Sequence, residues 1–145
     1  MKKSFTLLEM LVVIGIVAIL VSMGFASYST VQKKARDAKR KSDLKTIQNA
    51  LEQYYSICDY EYVTTANFPA AGAKLTATTA NCSNLSADVD LITMPADPLS
   101  GDNYQCISCT TSAYTICPDN LGSGKYLETE DCTSTNKSCC LTNQQ

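Results

Sequence analysis

Residues 4–20 read SFTLLEMLVVIGIVAIL, and the one carboxylate among them, Glu9, decides how the rest is understood. The apolar run extends from Phe5 to about Ala26. As a helix rising 1.5 Å per residue it covers roughly 33 Å, enough to cross a bilayer. A charge at the centre of such a span costs roughly 2.5–3.5 kcal/mol, so an intramembrane carboxylate marks a functional position and calls for a partner.

Working outward, no Gly or Pro stands between Phe25 and Phe68. Apolar residues at Val31, Ala35 and Ala38, then at Leu44, Ile47, Leu51, Tyr54 and Cys58, recur at spacings of three and four, the period of one helix face. The spacing predicts one continuous helix from about Thr6 to about Ser56, on the order of 75 Å long, half in lipid and half in water. Gly15, Ser22 and Gly24 are weak helix formers in the apolar half and read as sites of close helix packing. Tyr28, at the end of the span, reads as an interfacial anchor.

The charge is strongly polarised. Residues 31–45, VQKKARDAKRKSDLK, carry seven cations (Lys33, Lys34, Arg36, Lys39, Arg40, Lys41 and Lys45) against Asp37 and Asp43. After residue 45 the acids dominate, which makes nucleic acid a poor partner. The basic neck is expected to be either a solvated collar at the lipid surface or a face that meets the acidic head of an adjacent subunit. These cations outnumber Lys2 and Lys3, and by the positive-inside rule alone would hold the neck in the cytoplasm. The cysteines argue otherwise. All eight (Cys58, Cys82, Cys106, Cys109, Cys117, Cys132, Cys139 and Cys140) follow the span, and an even number crowded into a short segment reads as a disulfide framework in an oxidising compartment. With no histidine in the chain, His-based catalysis and mixed Cys/His zinc sites are excluded.

Beyond the helix, TTANFPAAGAKLTATTANCSNLSADVD reads as a long surface loop, YQCIS and AYTIC as a hairpin, and GKYLET as a third strand. Core residues are few: Val63, Phe68, Leu75, Leu91, Ile92, Ile107, Ile116 and Leu127 are most of them. Cross-links worth roughly 2–4 kcal/mol each would substitute for the missing core, with the helix stripe as its other wall. The preferred pairings are Cys58 with Cys82, and Cys132 or Cys139 with Cys106, Cys109 or Cys117. Adjacent Cys139 and Cys140 are expected to reach different partners.

The leader MKKS, then FTLLEMLVVIGIVAIL, then a long helix through KARDAKRKSDLKTIQNALEQYY, together resemble the type IV pilins and the pseudopilins of type II secretion. The resemblance spans about the first 55 residues; farther on, MPADP looks like the Pro-x-Asp-Pro segment of major pseudopilins. It implies cleavage by a prepilin peptidase between Ser4 and Phe5, N-methylation of the Phe5 amine, and an assembly role for Glu9. It also implies an assembly ATPase, an inner-membrane platform, and a homo-oligomeric helical filament displayed outside the cytoplasmic membrane. Ser4 stands where the family most often has Gly, and Ala26 where a kinking Pro is frequent. The new amine on Phe5 would be cationic and one helical turn from Glu9, in the same chain or in a staggered neighbour.

The expected architecture is an α+β lollipop: leader 1–4, membrane and assembly half of the helix 5–26, amphipathic half 27–58, and cysteine-rich head 59–145. Its expected function is structural, as the subunit of a type IV pilus-like filament, with no cofactor and no metal expected. The alternatives are a pseudopilin of a secretion or DNA-uptake system, and a single-pass anchor carrying a cysteine-rich binding module. A secretory signal cut after Gly24-Phe25-Ala26 fits less well, because the apolar run exceeds the usual 7–15 residues. Zinc on Cys106, Cys109, Cys139 and Cys140 yields to disulfides in an exported setting. Asp119, Glu128, Glu130 and Asp131 lie where major pseudopilins bind calcium, and are read as a solvated acidic face. Enzyme function finds no nucleophile beside a base.

Overall fold

A computed structural model describes residues 6–118, 126–130, 132, 133, 136 and 138–143. One helix, α1 (Leu7–Ile57), runs unbroken through both the apolar and the charged halves. Thr6 caps it: its hydroxyl accepts the Glu9 N–H at 3.2 Å, and the Glu9 carboxylate accepts the Thr6 N–H at 3.0 Å, a reciprocal capping box. At the other end Cys58 closes the helix by donating its N–H to the Tyr54 carbonyl, and Asp59 and Tyr60 turn the chain away at φ of 54° and 60°.

The head is two small antiparallel sheets laid on the second half of α1. The first pairs β1 (Lys74–Ala77) with β2 (Val89–Thr93), and the second runs β3 (Gln105–Cys109), β4 (Tyr114–Cys117), β5 (Leu141–Thr142). The fold is α+β and pilin-like, with a long N-terminal helix packed on a disulfide-stapled sheet head. Helix residues Leu44, Ile47, Leu51, Tyr54 and Cys58 are buried against Leu75, Ala77, Met94, Tyr104, Tyr114 and Ile116. A second cluster gathers Tyr126 and Leu127 around Cys117 and Cys132.

Four expectations need correcting. The stripe does not begin at Val31: Val31, Ala35 and Ala38 are exposed, and at that level the buried helix positions are Asp37, Arg40 and Asp43. The supposed surface loop contains β1, whose alternate residues Leu75 and Ala77 point into the core. The third strand is β5 and not GKYLET. Of that segment Gly124 and Lys125 lie outside the described residues, while Tyr126 and Leu127 are drawn into the second cluster and the 117–140 bridge brings the terminus beside β4. The disulfides are Cys58–Cys82, Cys106–Cys109, Cys117–Cys140 and Cys132–Cys139. Thus Cys132 and Cys139 pair with each other and not with Cys106, Cys109 or Cys117, because the segment carrying them folds back within seven residues. Cys139 and Cys140 do reach different partners.

Candidate functional site

Among the described residues, the first half of α1 is not covered by the head. Every described side chain from Leu7 to Phe25 is exposed, Leu7 to 83%, on a helix long and apolar enough to cross a membrane. Exposure on this scale is untenable in water, so this surface belongs in lipid or against other helices. At its start Glu9 is supplied with donors from within its own chain, since Thr6 gives its carboxylate both the backbone N–H and the hydroxyl at 3.0 Å. The placement near the positive end of the helix dipole adds to this. Ser4 and Phe5, the expected cleavage and methylation positions, lie outside the described residues.

Residues 1–25 match the family model of the prokaryotic N-terminal methylation motif. The chain carries a prepilin signature. That motif is the hallmark of type IV prepilins and pseudopilins, so the prepilin reading holds for this N-terminus and supports a type IV pilin-like or pseudopilin-like protein. The motif implies processing by a prepilin peptidase and assembly into pilus-like filaments, and with the apolar helix it fits membrane anchoring before assembly. No curated protein and no solved structure matches the chain.

Where the prepilin helix meets the head, a buried ionic cluster replaces hydrophobic packing. Arg40 is wholly buried. Its guanidinium donates through Nε and Nη2 to both Asp97 carboxylate oxygens at 2.5 and 3.0 Å, and through Nη1 to Asp37 at 2.8 Å and Glu128 at 3.2 Å. Arg36 adds a two-pronged contact to Glu128, both bonds at 2.6 Å. Asp37 also accepts the Glu128 and Thr129 backbone N–H groups and the Thr129 hydroxyl. Asp97 accepts the N–H groups of Leu99 and Ser100. A buried charge is tolerable only when so fully paired. Three stretches of chain, on the helix, at 97–100 and at 128–129, are therefore locked to one guanidinium.

Electrostatics follow the geometry. Burial pushes the Asp97 carboxyl up, but the Arg40 guanidinium and the two N–H donors outweigh it and hold the group below the usual range. For Asp37, burial is likewise outweighed by the Glu128 and Thr129 donors and Arg40. Arg36, then Arg40, holds Glu128 down. A second tier of links joins head tyrosines to helix carboxylates: Tyr104 donates to Asp43 at 2.9 Å, and Tyr62 and Tyr114 donate to Glu52 at 2.9 and 2.6 Å.

This geometry corrects the readings of the basic neck for two of its cations. Arg36 and Arg40 are neither a solvated collar nor a face kept for a neighbour, because they are turned onto Glu128 and Asp97 of their own head. Lys41 meets Glu130, Lys39 lies against Asp43 and Lys45 donates to Gln48, but these three stay exposed, as do Lys33 and Lys34 nearest the span. The acidic face is corrected at Glu128, which Arg36 and Arg40 take up; Glu130 meets Lys41 but stays exposed, and Asp119 and Asp131 lie outside the described residues. In the sequence Asp37 counts only as a counter-charge of the neck and Asp97 only as part of a resembling segment, and Thr129 gives no signal. The available signal was MPADP, whose Asp97 is the partner of Arg40 across 57 residues.

Proposed function

We propose that this chain is the main structural subunit of a type IV pilus-like filament. In this reading its task is mechanical and not enzymatic, and no cofactor takes part. A prepilin peptidase removes residues 1–4 and the Phe5 amine is methylated. The mature subunit waits in the cytoplasmic membrane until an assembly ATPase and its inner-membrane platform move it into a helical fibre outside the cell. The observation that carries the reading is an exposed apolar half-helix bearing one carboxylate, Glu9, within the matched methylation motif.

Glu9 then has two successive partners. In the membrane the Thr6 cap satisfies it; in the fibre the cationic amine of a neighbour's Phe5 takes over and sets the stagger, while helix packing replaces lipid contact. Glu9→Gln should leave the protein processed and in the membrane but abolish filaments. Filaments at wild-type yield, seen by electron microscopy of sheared cells, would remove the proposal. A pseudopilin role is the second reading, favoured by the MPADP segment; it predicts loss of secretion or DNA uptake on deletion.

A further inference from the structure

The Cys106-x-x-Cys109 motif has no part in assembly as described above. Its bridge differs from the other three in what it closes. It spans three residues in sequence, against 7, 23 and 24 for the others. It also lies within a single strand, and both ends of that strand stay paired to β4, Cys106 opposite Ile116 and Cys109 opposite Tyr114. The register slips between Cys106 and Ser108, which lets the two cysteines meet on one strand. Opening this bridge frees no loop and detaches no strand. Opening Cys117–Cys140 would release the β5 segment, and opening Cys58–Cys82 would release the long connection after α1.

The sulfurs are unequal in access. Cys106 is half-buried and lines a groove of about 310 Å³ beside Phe68, Pro69 and Tyr104. Cys109 is buried, its backbone gripped by Thr65, whose hydroxyl accepts the Cys109 N–H at 3.2 Å and donates to the Cys109 carbonyl at 3.1 Å. Cys58, Cys82, Cys117 and Cys132 are all buried. Cys139 and Cys140 are half-buried too, but their bridges close the longer loops.

We propose that Cys106–Cys109 is an exchangeable disulfide, a modification site at which a low-molecular-weight thiol of the glutathione class enters the groove and is held on Cys106. The incoming thiolate bonds to Cys106 Sγ, the Cys106–Cys109 bond breaks, and the electron pair leaves on Cys109 Sγ, which takes a proton from water. A second thiol can attack the mixed disulfide and leave a dithiol on an otherwise unchanged sheet. Because the chain entropy removed by a cross-link grows with the loop it closes, the short bridge should open at a more oxidising thiol ratio than any of the other three.

The test uses the oxidised full-length chain in detergent micelles, titrated with reduced and oxidised glutathione, alkylated, digested and mapped by mass spectrometry. Expected are alkylation of Cys106 and Cys109 before any other cysteine, and a glutathione adduct on Cys106. First opening of another bridge, loss of all four in one step, or an adduct on Cys109 would overturn the proposal. The Cys106→Ser/Cys109→Ser double variant should fold, keep the other three bridges and lose only the first reduction step. Failure of that variant to fold would equally refute the argument, since it requires the bridge to hold almost nothing together.

Discussion

Arg40 shows why a helix pattern is read correctly in its period and wrongly in its chemistry. Its spacing places it on the buried face, three residues from Asp37 and four before Leu44, but an arginine amid six other cations reads as solvated. Only Asp97 and Glu128, 57 and 88 residues onward, turn it inward, and nothing local encodes that meeting. The same holds for the tyrosines. Tyr62, Tyr104, Tyr114 and Tyr126 fill much of the core that a count of aliphatic residues finds missing, and the first three hand their hydroxyls to helix carboxylates. Removing one member of a buried charge cluster strands the rest, so Arg40→Met should lower stability by about 3–5 kcal/mol in urea unfolding of the detergent-solubilised chain. Asp97→Asn keeps two of Arg40's carboxylates and should lose about 1–3 kcal/mol. The double variant should lose less than the two single losses together, because the sites share one guanidinium. Simple additivity would mean that the cluster is not coupled as its geometry indicates.

Among the elements, α1 was legible almost to the residue, since fifty residues of unbroken pattern leave little room for another answer. The strands were less so. β1 has four residues and β5 has two, too short for alternation to stand out from an Ala/Thr-rich background, and β5 is held in place by the 117–140 bridge that no spacing rule could select. Within α1 the two halves answer to different partners. Gly15 and Gly24 weaken a helix by about 1 kcal/mol each relative to Ala, and a Cβ at either would meet nothing within 4 Å in the single chain. Their smallness therefore serves no contact inside the subunit. Gly24→Ala should cost the monomer no stability, raising its unfolding free energy by at most about 1 kcal/mol, while lowering filament yield, measured side by side by circular dichroism and electron microscopy. An unchanged yield would show that this face of the helix meets no close neighbour in the fibre.

For the whole molecule, the head is fastened to its stalk by ionisable groups at two levels, and their opposite shifts set the pH range over which the fold is stable. Asp37, Asp97 and Glu128 are held below their ordinary values of 3.8, 3.8 and 4.5, so the unfolded chain binds their protons more readily than the folded one. Their contribution is complete above about pH 5 and disappears as the pH falls through the depressed folded values. Tyr62, Tyr104 and Tyr114 are shifted the other way, above 10.0, by burial first and then by bonds to Glu52 or Asp43. The folded state keeps those protons longer than the unfolded chain. That contribution is complete below pH 10 and is lost as the pH rises toward the folded values. Stability should therefore be level between about pH 5 and pH 10 and fall on both sides, as read from urea midpoints across the range. Tyr104→Phe separates the two limbs. It leaves Asp43 with Lys39 but without its phenol donor, so the plateau should drop by about 1 kcal/mol, and with one fewer titrating group the alkaline slope should diminish by about one proton. The acid limb, to which the Arg40 cluster contributes along with Asp59 and Asp90, should keep its shape. An alkaline limb that survives Tyr104→Phe at full slope would mean that this phenol does not help to tie the sheet to the helix.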